Sequence, residues 1–121
     1  MLPAPLICIV DDDPALRASV ADLMQAAGYR TAQFPTAGAF LDSAEKTACD
    51  CVLADIQMPG ITGIELKRVM VAEGLGTPVI VITALAEDHW PHRAAENGAA
   101  FLRKPFDADA LFGLLTQSLA A

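Results

Sequence analysis

Short apolar runs, each closed by a polar or charged residue, are the feature that most limits the folds open to this chain. Three of them are Leu6–Val10, Cys51–Ala54 and Val79–Ile82. Runs of this length are typical of strands that are buried on both faces of a parallel sheet. Parallel strands need a crossover connection, usually a helix, so the runs predict an α/β fold.

Helical patterns separate the predicted strands, so that strand and helix alternate five times along the chain. The strands are predicted at 6–10, 29–34, 51–55, 79–83 and 99–102. The helices are predicted from Pro14 to Gly28 after an Asp12 or Asp13 cap, from a Thr36 cap through Leu41, from Ile64 to Ala72, up to Asn97-Gly98, and after an Asp107 cap. These signals are side-chain caps at helix starts and glycines at helix ends. Five such units imply a parallel sheet with helices on both faces.

Pro91 disturbs the fourth of these helices. Proline lacks a backbone N–H and disfavours helical geometry in the residue before it, so the helix is expected to start near Trp90 after a loop at 84–89.

Trp90 is interpreted either as an anchor for a partner or as a cover for the apolar side of the loop. His89 and His92 offer transition-metal ligands, but a solvated loop and helix start is the preferred interpretation.

Length, charge and cysteine content narrow the class of protein. The whole chain, residues 1–121, is predicted to be one domain. The formal net charge of −7 argues against nucleic acid binding by this domain, and no apolar run approaches the roughly 20 residues of a membrane helix. The N-terminal apolar stretch lacks a basic flank, and Cys8 and Cys51 are interpreted as core residues. A cytoplasmic protein is therefore expected.

Polar side chains at the ends of four predicted strands form the candidate site. Asp11 and Asp12 follow the first strand, Asp55 ends the third, Thr83 ends the fourth and Lys104 follows the fifth. Ligands of parallel sheets bind beyond the carboxyl ends of the strands, so these side chains are expected to converge. Two carboxylates about 5 Å apart repel by roughly 3 kcal/mol at an effective dielectric constant of 20. A hard cation such as Mg²⁺ relieves that repulsion.

Asp55 is the candidate nucleophile of this set. A carboxylate can attack phosphorus and form an acyl phosphate. Lys104 and the metal would screen the charge of the approaching phosphoryl group, and Thr83 can donate a hydrogen bond to one of its oxygens. Considered singly, Thr83 is interpreted as an ordinary strand residue and Lys104 as a solvated lysine. Together, at the ends of different strands, they indicate phosphoryl chemistry.

Four motifs, and the spacing between them, identify a family. They are Ile9-Val10-Asp11-Asp12-Asp13, Leu53-Ala54-Asp55-Ile56-Gln57-Met58-Pro59-Gly60, Ile82-Thr83-Ala84 and Lys104-Pro105-Phe106. In these motifs the chain resembles the receiver domain of two-component response regulators over essentially its whole length. The resemblance implies a flavodoxin-like fold, with a five-stranded parallel sheet in the strand order 2-1-3-4-5.

The resemblance also implies how the site works. Asp55 would accept a phosphoryl group from a sensor histidine kinase or a histidine phosphotransfer protein. Asp12, Asp55 and the backbone carbonyl of Gln57 would bind Mg²⁺ directly, and Asp11 would bind it through water. Lys104 would pair with the phosphoryl oxygens. The domain would thus catalyse only its own phosphorylation and dephosphorylation.

A switch and several partners follow from the same resemblance. Thr83 would move to bond the phosphoryl oxygens, and Phe101 would turn inward with it. The output surface would then be the fourth helix, the fifth strand and the fifth helix. A C-terminal output domain outside this chain and a phosphorylation-dependent homodimer are further partners that such a domain can have.

Two other classes of protein are alternatives to a receiver domain: an enzyme with a similar nucleophile and a related domain that takes no phosphate. Phosphatases of the haloacid dehalogenase type also pair an Asp nucleophile with Mg²⁺, but they need a second Asp two residues later. Gln57 stands at that position here. A pseudo-receiver, which never takes phosphate, would have lost an acid, the threonine or the lysine, and this chain retains all of them.

Overall fold

The computed structural model describes residues 3–120, which contain a five-stranded parallel sheet. The strands are β1 (Leu6–Val10), β2 (Arg30–Phe34), β3 (Cys51–Asp55), β4 (Val79–Thr83) and β5 (Ala100–Arg103). Their order across the sheet is β2-β1-β3-β4-β5, and every neighbouring pair is parallel. The flavodoxin-like order expected from the sequence is confirmed. Residues 1, 2 and 121 of the predicted domain lie outside the described residues.

Helices cover both faces of the sheet. They are α1 (Pro14–Ala26), α2 (Ala37–Leu41), α3 (Glu45–Ala48), α4 (Gly63–Ala72), α5 (His89–Glu96) and α6 (Ala108–Ala120). Buried side chains of α1 and α6 pack on one face of the sheet in a layer that includes Cys51. Those of α2, α4 and α5 pack on the other face in a layer that includes Cys8. Both cysteines are therefore core residues, as predicted. Within residues 3–120, no helix has the length and apolar character that crossing a membrane requires.

Side-chain caps fix where the helices begin. The Asp13 carboxylate accepts hydrogen bonds from the first turn of α1, which decides the sequence-level choice between Asp12 and Asp13. Thr36 caps α2, and the Asp107 carboxylate accepts from the first turn of α6, both as predicted. Thr62 caps α4 in a capping box. Asp12, which does not cap the helix, is exposed.

Two glycine turns explain why two strands begin one residue later than predicted. Gly28 and Gly98 have φ angles of 95° and 73°, the left-handed conformation that ends helices. The N–H groups of the next residues, Tyr29 and Ala99, donate back to carbonyls in the last turn of the preceding helix. Since these N–H groups complete helices, they are not available to start β2 and β5.

The loop before α5 agrees with the expectation from Pro91. Helix α5 begins at His89, so Pro91 lies in its first turn, where a backbone N–H has no partner within the helix. The loop therefore covers residues 84–88. The one-turn helix α3 was not predicted, because four residues are too few to show a helical period.

Candidate functional site

Two buried carboxylates lie side by side at the carboxyl edge of the sheet. Strands β1 and β3 pair with Val10 beside Ala54, so the next residues, Asp11 and Asp55, are neighbours. Only 7% of Asp11 and 8% of Asp55 is exposed. Carboxylates are rarely buried to this extent without a compensating charge or hydrogen bonds.

Lys104 supplies the compensating charge. Its Nζ lies 3.0 Å from Oδ2 of Asp55 and 3.9 Å from Oδ2 of Asp11. The backbone N–H of Lys104 donates to the carbonyl of Thr83 at 2.8 Å, which ties the lysine to the end of β4. The backbone N–H of Gln57 donates to Oδ1 of Asp55 at 3.0 Å. Donors on two sides therefore fix the orientation of the Asp55 carboxylate.

The charge on Asp11 is not fully compensated. Burial raises the pKa of Asp11 and the nearby Asp55 charge adds to the rise, while the N–H of Asp13 and Lys104 oppose it. The Asp13 N–H donates to Oδ1 of Asp11 at 2.9 Å. Because the net shift of the pKa is upward, the negative charge of Asp11 is destabilised in the folded protein. A further cation at this place would stabilise it.

The acids of the predicted magnesium set differ in burial. Asp11, Asp55 and the main chain of Gln57 come together at the buried edge of the sheet, and Asp12, the residue after Asp11, is exposed. Among residues 3–120, no group of three or more His, Cys, Asp or Glu side chains lies close enough to hold a metal ion. Mg²⁺ needs only one or two carboxylates and keeps several waters, so two buried carboxylates that share one lysine fit its requirements. His89 and His92 likewise belong to no group of three or more such side chains among the described residues.

Thr83 and Phe101 lie on the sheet face that α4 and α5 cover. Thr83 is fully buried, and its hydroxyl accepts a hydrogen bond from the N–H of Leu85 at 3.1 Å. Phe101 is half-buried and packs against the core layer of that face. In the described chain the Thr83 hydroxyl thus bonds the loop at 84–88 rather than Asp55. Trp90 is half-buried against the same layer, which favours its interpretation as a cover.

Sequence reasoning missed two residues that shape the site. Arg17 donates from Nη1 to the backbone carbonyl of Asp11 at 2.7 Å and so holds the acidic loop against α1. A Cβ atom on Gly63 would lie 2.9 Å from the carbonyl oxygen of Asp55, so only glycine lets α4 begin this close to the candidate nucleophile. The sequence pattern predicts a helix from Ile64 and leaves Gly63 in the loop before it, whereas α4 begins at Gly63. The close approach to β3 is a non-local property that no local pattern indicates.

Known proteins share this fold. Residues 7–116 match the response regulator receiver domain. The chain is 38% identical over 112 residues to the transcriptional regulatory protein FixJ of Azorhizobium caulinodans, across 92% of this chain and 53% of FixJ. It is similar to the crystal structure of FixJ-N, with a TM-score of 0.89, 27% identity, and coverage of 98% of this chain and 96% of that one. For the BeF3-activated DrrB receiver domain the TM-score is 0.85 at 28% identity, covering 98% and 99% of the two chains.

These similarities cover the sheet, its helices and all of the candidate site residues. The chain spans about half the length of FixJ, so the similarity concerns one part of that protein. The family match spans far more than half of this chain. The chain therefore belongs to the response regulator receiver domains of two-component signalling.

Proposed function

We propose that Asp55 accepts a phosphoryl group from a sensor histidine kinase or a histidine phosphotransfer protein in a Mg²⁺-dependent reaction. The observation that carries the proposal is the Asp55 carboxylate itself. It is buried at the end of β3, held by the Lys104 amine at 3.0 Å and the Gln57 N–H at 3.0 Å, with Asp11 alongside. This is a nucleophile beside positive charge, which phosphoryl transfer requires.

In the transfer, a carboxylate oxygen of Asp55 bonds to phosphorus while the bond from phosphorus to the donor histidine nitrogen breaks. The imidazole keeps the electron pair of that bond. Lys104 balances the charge of the phosphoryl oxygens, as its distance to Asp55 supports. A cavity of about 10 Å³ that Asp11, Asp55 and Lys104 help to line has room for about one water.

The residues that would hold Mg²⁺ are Asp12, Asp55 and the backbone carbonyl of Gln57, with Asp11 acting through water. When bound, Mg²⁺ supplies positive charge that offsets both the carboxylates and the phosphoryl oxygens. The raised pKa of Asp11 supports this assignment, since burial disfavours its charge and a cation would restore it.

Phosphorylation would then switch an output surface formed by α5, β5 and α6. The phosphoryl group of an aspartyl phosphate carries about −1.5 to −2 charges in place of the single charge of the carboxylate, and its acceptor oxygens would draw the Thr83 hydroxyl away from the N–H of Leu85. Phe101 would fill the space beside Thr83. The switch is thus a two-state element that phosphorylation biases.

The proposal extends to partners and location. An output domain joined to this one, and a phosphorylation-dependent homodimer, would read the switch. Direct contact of this domain with nucleic acid is not proposed, because its net charge is −7. A cytoplasmic location is proposed because Cys8, Cys49 and Cys51 are free thiols, which suit a reducing compartment.

Intact-mass measurement after exposure to acetyl phosphate and Mg²⁺ tests the proposal. The wild-type protein should gain the mass of one phosphoryl group, and Asp55→Asn should gain none, because an amide oxygen is a poor nucleophile. Asp22→Asn, an exposed carboxylate on α1, is the matched control and should be labelled like the wild type. Labelling of Asp55→Asn at the wild-type level would refute the assignment.

A further inference from the structure

We infer that Arg103 is a positioning residue that latches the loop at 84–88 and the ring of Phe101 in the unphosphorylated arrangement. The inference rests on the proposed function, because it assigns a regulator of the same switch. Arg103 stands directly before Lys104, at the end of β5. We call its contacts with Glu87 and Phe101 the Arg103 latch.

Two contacts make up the Arg103 latch. Nη2 of Arg103 donates a hydrogen bond to the backbone carbonyl of Glu87 at 3.3 Å, which holds the middle of the loop. Its Cζ lies 5.3 Å from the centre of the Phe101 ring, within the range of a cation–π contact. One guanidinium therefore contacts both the loop that must move and the aromatic ring that must turn.

Strand register places the latch beside the switch threonine. Thr83 pairs with Arg103, and Val81 pairs with Phe101, across β4 and β5. Side chains two residues apart on a strand point to the same face, so Phe101 and Arg103 share one face. The loop is then held at two points: its Leu85 N–H bonds the Thr83 hydroxyl, and its Glu87 carbonyl bonds Arg103.

Movement of Thr83 toward a phosphoryl group removes the first of these two bonds. The second bond does not depend on the Thr83 hydroxyl and would still hold the loop in its present position. The cation–π contact likewise holds Phe101 in its half-buried position. The Arg103 latch therefore adds to the free energy that phosphorylation must overcome.

The latch is weak enough to be released. The Nε atom of Arg103 is buried, and it has no hydrogen-bond partner among the residues that the structure describes. A buried donor without an acceptor carries a desolvation cost, which subtracts from the two favourable contacts. The net free energy of the Arg103 contacts is therefore modest. It disfavours the switched state without preventing phosphorylation from reaching it.

Thermodynamic linkage predicts the direction in which loss of the Arg103 latch changes the affinity for a phosphoryl mimic. A ligand that favours one state binds more tightly when the competing state is destabilised. Arg103→Gln removes the cation and the forked donor, so the switched state should become more accessible. Beryllofluoride with Mg²⁺, a phosphoryl mimic on Asp55, should then reach half-saturation at a concentration about three- to tenfold lower than in the wild type.

Titration with beryllofluoride in the presence of Mg²⁺, followed by Trp90 emission, measures that concentration. Arg103→Lys keeps a cation near Phe101 without the planar fork, and it should fall between the wild type and Arg103→Gln. Arg30→Gln is the charge-matched control. Arg30 bonds the carbonyl of Ala4 away from the switch, so its loss should leave half-saturation unchanged.

Amide hydrogen exchange without any phosphoryl mimic tests the latch independently of phosphorylation. Backbone amides of residues 85–90 should exchange faster in Arg103→Gln than in the wild type or Arg30→Gln. Unchanged exchange in this segment, or a half-saturation equal to or higher than that of the wild type, would overturn the latch. If the wild type takes up no beryllofluoride, the proposed function fails, and the exchange rates alone still decide for or against the latch.

Discussion

At the scale of single residues, the site is defined by an imbalance of charge. Asp11 and Asp55 are both buried, and one lysine lies within 4 Å of each of them. Asp12 adds a third negative charge from the exposed side. A single ammonium group cannot neutralise three carboxylates, so a divalent cation would stabilise the folded protein.

Thermal melts should therefore show stabilisation by Mg²⁺. A ligand that binds only the folded state stabilises it with the logarithm of its concentration, by about 2.7 kcal/mol at a hundred times its dissociation constant. Asp12→Ala should lose most of the shift in Tm, while the metal-free variant should melt at or above the wild-type temperature because one repelling charge is gone. Asp22→Ala, an exposed carboxylate on α1, serves as the control. Equal Mg²⁺ shifts in Asp12→Ala and wild type would exclude Asp12 from the metal site.

The sequence predicts the position of a site residue well where that residue ends an apolar strand pattern. Asp55 and Thr83 end strands in the structure as they do in the sequence pattern. Lys67 shows the limit of this reasoning. It is buried in α4, its Nζ donates to the carbonyl of Thr77 at 2.8 Å, and burial lowers its pKa. No local pattern indicates a buried lysine, because its acceptor lies on a loop outside its own helix.

At the scale of elements, local chemistry accounts for most of what the sequence predicts. Caps such as Thr36 and Asp107 and glycine turns such as Gly28 act within a few residues, so they place helix ends well. Strand starts are less predictable, since helix-ending turns compete for the same N–H groups. Distances between elements, such as the approach of α4 to β3, depend on packing and could not be predicted.

That approach makes Gly63→Ala a test of how α4 supports the site. The added methyl would lie 2.9 Å from the Asp55 carbonyl oxygen and 3.1 Å from Cβ of Ala54, so α4 or β3 must shift. Overpacking of this kind costs about 1–3 kcal/mol, and the shift should also slow the labelling of Asp55 by acetyl phosphate. Urea unfolding and intact-mass time courses measure the two effects.

Gly113→Ala is the matched control for the same chemical change. Gly113 lies within α6, and a Cβ there would meet no heavy atom of the described chain within 4 Å. Replacing a helical glycine with alanine at an open position stabilises by about 0.4–1 kcal/mol. If Gly63→Ala were as stable and as reactive as Gly113→Ala, the close packing of α4 on β3 would be wrong.

At the scale of the whole molecule, the expected path from the site to α5 runs along one face of the sheet. Both core layers contain side chains of β1, β3 and β4, but Phe101 and Trp90 pack against the layer beneath α4 and α5. Thr83 and Arg103 pair with each other at the ends of β4 and β5. A change at the phosphoryl site is therefore expected to reach α5 through the loop at 84–88.

Trp90 is placed to report that change. It lies in the first turn of α5, with the His89 ring centre 4.4 Å and the Arg93 Cζ 5.7 Å from its own ring centre. Movement of the loop would alter these neighbours and the emission of the indole. Trp90 is also the only tryptophan, so its emission can be assigned without ambiguity.

Thr83→Ala tests whether a change at Asp55 reaches Trp90 through Thr83 and the loop at 84–88. Beryllofluoride with Mg²⁺ should change Trp90 emission in the wild type, because the phosphoryl mimic draws the Thr83 hydroxyl from the Leu85 N–H and the loop follows. Thr83→Ala lacks that hydroxyl, so the emission change should be largely lost while Asp55 still reacts with acetyl phosphate. Intact mass confirms the reaction, and emission spectra measure the coupling. An equal emission change in both proteins would mean that Trp90 senses the site by a route that does not pass through Thr83.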